Sequence, residues 1–254
     1  MCLFSGPVLS VSCTKIFARM SGGHQFLVYE MTFSADQELA MVLPIPVLDG
    51  SGEAAVEFMN LEGSPDLFKD LKRLFPVPRS ASGALGPATQ FLALNSILEV
   101  HDVGAFEASF VPTLSDFGRL DPRFQMDDAV WDALPMYRDY GFCVFKLKAG
   151  RGQHAHPMAF SFPTRDSAKL FFPTVHVHDG QVPAEATFDH VLYAQLAQPD
   201  LYDSSNPKLA GWWGPSANAS TAVSVDRTLG IVDGEKPGLK KTLVGSHDNR
   251  VQWL

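Results

Sequence analysis

The sequence predicts an α+β protein, mainly antiparallel β-sheet with a few packed helices. Segments rich in aromatic and β-branched residues recur along the chain. Only two stretches, 65–75 and 127–138, carry a clear helical signal. The connections between the later strand segments are short, which suits antiparallel pairing.

Taken in order, Val11 to Met20 reads as a strand and Ser21-Gly22-Gly23 as a turn. Gln25 to Ser34 is a second strand, and Ala35-Asp36-Gln37 turns the chain into Glu38 to Val47. Pro44 and Pro46 cannot donate to a ladder, so this third strand should lie at an edge or leave the sheet there. The helix over 65–75 has Ser64 as its cap, Pro65 at its first position and Asp66 at the positive end of its dipole. Leu67, Phe68, Leu71, Leu74 and Phe75 form its apolar stripe, and Pro76 stops it.

Residues 76–88 are rich in Pro, Gly, Ser and Ala and read as an exposed loop. They are the best internal boundary in what is otherwise one domain spanning 1–254. Strands are expected near 96–102 and 105–111, and helices over 113–120 and 127–138, the second starting at Asp127 or Asp128. Further strands are expected at 141–149, 154–163, 169–178 and 186–195. From 200 to 254 periodicity fades, and an irregular tail anchored by Trp212-Trp213 is expected.

Composition narrows the function. A chain of 254 residues with 46% hydrophobic and 19% charged content reads as a globular protein able to bury a core. A net charge of -8 with no basic stripe argues against nucleic acid as a partner. The longest apolar run, Leu39 to Leu48, falls short of the roughly 20 residues a membrane helix needs, so no membrane association is expected. The first basic residue is Lys15, so no secretory signal is expected. Cys2, Cys13 and Cys143 make an odd count without paired spacing, which fits a reduced, cytoplasmic setting.

The constellation that suggests chemistry is two His-x-His pairs, His154/His156 and His176/His178. Folding 154–163 onto 169–178 as a hairpin sets His156 opposite His176 and His154 opposite His178. Residues two apart share a strand face, so all four imidazoles would project together. Such a set would hold zinc or another divalent transition metal, and a metal-bound water would make the protein a hydrolase. Asp179 and His190 could complete the shell, with His190 placed near His176 and Asp189 on the other face. The alternative is a metal-free, pH-sensitive polar cluster. A bulge at Pro157 or Pro173 would put the pairs on opposite faces.

A second reading starts from Cys2. Removal of Met1 would expose a thiol beside its own amino group, with Arg19 to steady an anion. This start resembles that of the N-terminal-nucleophile amidases such as the choloylglycine hydrolases, where a leading Cys is followed by an Arg and then an Asp. Here Met20-Ser21-Gly22-Gly23 stands where that Asp would be. A third reading is a non-catalytic binding module that meets a partner through 76–88 and the tail. Asp127-Asp128 and Glu99/His101/Asp102 are weaker acid–base candidates. No phosphate-binding loop, G-x-G-x-x-G, H-E-x-x-H or G-x-S-x-G pattern occurs.

The block Glu38 to Pro46 (ELAMVLPIP) resembles an uncharacterised bacterial family that carries such a block after an N-terminal hairpin. Tyr137 to Lys148 and Met158 to Val175 echo the same family. The resemblance implies no activity and assigns no catalytic residue.

Overall fold

The aromatic and β-branched segments become the strands of two sheets. The computed structural model describes residues 3–76, 101–103, 106–178, 180–203 and 205–254. In chain order the strands are β1 (Leu3–Phe4), β2 (Ser10–Ser21), β3 (His24–Ala35), β4 (Leu39–Ile45), β5 (Glu57–Asn60), β6 (His101–Val103) and β7 (Phe106–Val111). They continue as β8 (Gly141–Leu147), β9 (Gly150–Pro163), β10 (Phe171–Phe172), β11 (Glu185–Gln195), β12 (Leu239–Asp248) and β13 (Gln252–Trp253). One sheet runs β1-β4-β8-β7-β6 and a larger one runs β12-β11-β2-β3-β9-β5, while β10 and β13 form a separate pair. Among the described residues, these strands pair antiparallel except β11 with β2, which run parallel.

Strand alternation assigns the faces. Ile16, Ala18, Leu27, Tyr29, Phe160 and Leu192 of the larger sheet meet Met41, Leu43, Cys143 and Phe145 of the smaller one in the central core. The opposite face of the larger sheet, with Phe17, Val28 and Tyr193, lies under the helix α1 (Leu67–Arg73) and residues 219–232. The opposite face of the smaller sheet, with Val42, Phe142 and Val144, lies under Phe117, Val130, Trp131 and Tyr137. Both faces of β4 are therefore covered, and all its residues are buried. That explains why Leu39 to Ile45 reads as a continuous apolar run instead of an alternation.

β4 lies between β1 and β8 but is open on one side at Pro44 and ends before Pro46, as its prolines require. Pro44 is tolerated because β1 pairs only with Val42 and Met41, leaving Pro44 with β8 alone beside it. Several expectations need correction. The helices are shorter than their apolar stripes. α1 begins at Leu67 with Asp66 as its cap, without a side-chain capping bond. The 113–120 segment is a 3₁₀ helix over Leu114–Arg119. The 127–138 segment splits into α2 (Asp128–Asp132) and a 3₁₀ turn over Pro135–Tyr137. Pro135 lacks an N–H and pushes Leu134 out of the helical region, to φ -122 and ψ 56. The tail expected to be irregular contains β12 and β13. Most of the 76–88 loop lies outside the described residues. No helix among the described residues is long and apolar enough to cross a membrane.

The hairpin of 154–163 on 169–178 does not form. β9 pairs with β3 and β5, and only Phe171–Phe172 of the second segment is strand, paired with β13. Side chains take the place of a partner strand along this segment. The Gln25 amide accepts from Phe171 N–H at 2.9 Å and donates to its carbonyl at 2.7 Å. Thr174 Oγ1 donates to the Arg250 carbonyl at 2.7 Å. The Asn249 side chain accepts from His176 N–H at 2.7 Å and donates to its carbonyl at 3.0 Å. Backbone groups satisfied this way no longer need a ladder.

Candidate functional site

The larger sheet splits at one end. β2 and β11 run paired from Lys15 beside Val191 to Arg19 beside Gln195. Before Lys15, β2 carries a bulge at which its register on β3 shifts between Ser12 and Lys15. Cys13 in this bulge takes φ 56, a left-handed conformation that costs a non-glycine residue about 1 kcal/mol. The Asp189 carboxylate accepts from the Cys13 N–H and pins the bulge where the pairing stops.

Beyond that point the strands diverge around a cleft of about 530 Å³. Ser10 and Val11 line one side, Ala186 to Asp189 the other, with His176, His178, Gln181 and Pro183 completing the wall. The 175–178 segment is docked by Asn249 and by β1, whose Phe4 N–H donates to the Val177 carbonyl at 3.2 Å.

Three imidazoles form a stack here. His176 lies with its ring centroid 5.4 Å from His178 and 5.3 Å from His190, with planes inclined by 19° and 26°. Phe188 packs 4.2 Å from His176 and 5.0 Å from His190. His176 is 5% exposed and His190 is fully buried. Burial, reinforced by the neighbouring His178, lowers the His176 pKa to about 2. Burial first, and then the nearby histidines, push His190 down further still. Both rings are neutral at pH 7. Asp189 N–H donates to His190 Nδ1 at 3.3 Å, which leaves the ring proton on Nε2. The His176 Nε2 is buried without a hydrogen-bond partner, and so is Asp189 Oδ1, 3.7 Å from His190 Nδ1.

Among the described side chains, His154 does not join His176 and His178. His154 pairs across from Thr32 on the outer face of the sheet, half-exposed, with its Nε2 3.7 Å from Glu30. His190 belongs to the inner face, in line with Phe188 and Leu192. The cause is the bulge anticipated at Pro157: β9 spends one extra residue between Met158 and Ala155 opposite Tyr29 and Met31. The side chain of His156, and Asp179, lie outside the described residues. Among the described residues, no group of three or more His, Cys, Asp or Glu side chains stands in metal-holding geometry.

Cys2 lies outside the described residues. Arg19 is buried on the outer face, where its Nε donates to the Ile231 carbonyl at 2.7 Å and another nitrogen donates to the Gly230 carbonyl. Its guanidinium also stacks on Phe26 at 5.0 Å and lies 3.9 Å from Asp233. Those bonds commit it to the 230–233 loop. Asp127 caps α2 by accepting from Ala129 N–H at 2.8 Å. Glu99 and the side chains of His101 and Asp102 are not among the described groups. Phe188, the ring on which His176 and His190 pack, was not singled out from sequence. Its signal is its place among the inward positions Phe188, His190 and Leu192.

No family model and no curated protein matches the chain. Its coordinates are similar to the crystal structure of baculovirus P35, at 13% identity and a TM-score of 0.49, covering 100% of this chain and 99% of that one. Two structures of mutated baculovirus P35 after caspase cleavage are also similar. One is at 15% identity and TM-score 0.48, covering 95% of this chain and 98% of that one. The other is at 14% and 0.45, covering 97% and 98%.

Proposed function

We propose that this is a histidine-based binding protein whose cleft takes a divalent transition-metal ion, zinc first among them, on His176 and His178, with His190 behind them. The buried His176 Nε2 carries this reading: a neutral imidazole nitrogen with no partner, on a residue that lines an open cleft. Metal binding needs the unprotonated ring, and burial supplies it at neutral pH. Zn–N bonds of about 2.1 Å bring two donor nitrogens to roughly 3.4 Å, so the partly exposed His178 ring has to turn out of its stack. Two or three imidazole ligands leave a coordination position for water, which makes hydrolysis the activity to assay on the loaded protein.

Calorimetric titration of untagged protein with zinc chloride tests this. The expected result is one site, lost in His176→Ala and kept in His154→Ala. Absence of zinc binding, or equal binding by His176→Ala, overturns it.

A further inference from the structure

The split between β2 and β11 has the form of a strand position with no strand in it. Among the described residues, Ser10–Ser12 pair only with β3, and Glu185–His190 pair only with β12. The register on β12 shows which backbone groups face the gap. Lys240 exchanges backbone hydrogen bonds with Trp213 on the outer edge, so its groups point away from β11. Its partner Tyr193, and every second residue back along β11, must then present N–H and C=O on the side of β2. Thr187 is one of these, and β2 does not reach it.

The two faces of the gap differ. Val11, Ala186 and Phe188 sit on its inner face, at the margin of the central core. Glu185, Thr187 and Asp189 alternate onto its outer face, where the Asp189 carboxylate accepts from Cys13 N–H and the Glu185 carboxylate from the Ser246 hydroxyl, with no cation on either among the described residues. We infer that the gap receives an extended peptide of alternating apolar and cationic residues, added as a strand along β11. The apolar residues would pack against Val11 and Phe188, and the cationic ones would meet Glu185 and Asp189. Main-chain bonds to Thr187 supply affinity, and the alternation supplies selectivity. This goes beyond the metal reading and does not rest on it, since no imidazole nitrogen takes part.

The probe is a fluorescein-labelled octapeptide of alternating lysine and valine, followed by polarisation, with a glutamate–valine octapeptide as comparison. The lysine peptide is expected to bind saturably and the glutamate peptide not to bind. Thr187→Pro removes an N–H that faces the gap and none that bonds β12, so it is expected to weaken binding at least about tenfold. Hydrogen exchange on the unaltered protein gives a second readout, with the Thr187 amide slowed when the lysine peptide is present. No saturable binding, equal binding of both peptides, equal binding by folded Thr187→Pro, or an unchanged Thr187 amide overturns the inference.

Discussion

The Gln25 side chain behaves toward Phe171 as a strand would, donating to its carbonyl and accepting from its N–H. Both residues are fully buried. This amide helps hold the segment leading to His176 in an extended course with almost no sheet of its own. Gln25→Leu would keep the volume and leave two buried backbone groups unpaired, each costing about 1–3 kcal/mol. Scanning calorimetry should show a fall in Tm of roughly 5–15 °C. An unchanged Tm would mean the bonds contribute nothing.

The stacked histidines set the acid response. The folded-state pKa values of His176 and His190 lie below the unfolded value of about 6.5, with His176 at about 2. The unfolded chain therefore takes up protons first, and their contribution to stability falls as pH drops below about 6.5. The slope approaches about 1.4 kcal/mol per pH unit for each ring. Urea unfolding at pH 7.5, 6 and 5 should show this loss, with a shallower slope in His176→Gln. Equal slopes would place the titration elsewhere.

Cysteine reactivity should divide by burial. Cys13 is exposed, whereas Cys143 is fully buried and its thiol pKa is pushed well up by desolvation. Alkylation under native conditions, mapped by peptide mass spectrometry, should mark Cys13 and spare Cys143 until the protein unfolds.

The left-handed backbone at Cys13 gives a stabilising substitution. Cys13→Gly removes the steric cost of φ 56 and keeps the N–H that Asp189 accepts. A gain of about 0.5–1 kcal/mol is expected in urea unfolding, reduced by the greater freedom of glycine in the unfolded chain. A loss of stability would show that the Cys13 side chain matters more than its strain.

Strand alternation made much of the sheet legible in advance, because the inward positions Ile16, Ala18, Leu27 and Tyr29 are apolar in register with the pleat. The β2–β3 hairpin was legible as well, through its Ser21-Gly22-Gly23 turn, but the pairing of the later segments was not. Nothing local to Phe171 or His176 announces that Gln25 and Asn249, distant in sequence, will occupy their ladder bonds. The extra β9 residue near Pro157 was recognisable as a hazard but not as an outcome. The His176–His178 pair was visible as a motif, and its contact with His190 follows from the inward placement of Phe188, His190 and Leu192. β12 escaped notice because Lys240, Lys241, Gly245 and Asp248 weaken its alternation at an edge.

The most direct test of a metal-ready imidazole at His176 is long-range ¹H–¹⁵N NMR of the histidine side chains at pH 7, before and after one equivalent of zinc. A neutral His176 ring whose nitrogen resonance moves on zinc addition, while that of His154 stays put, is the expected result. A protonated His176 ring, or one indifferent to zinc, would contradict the account.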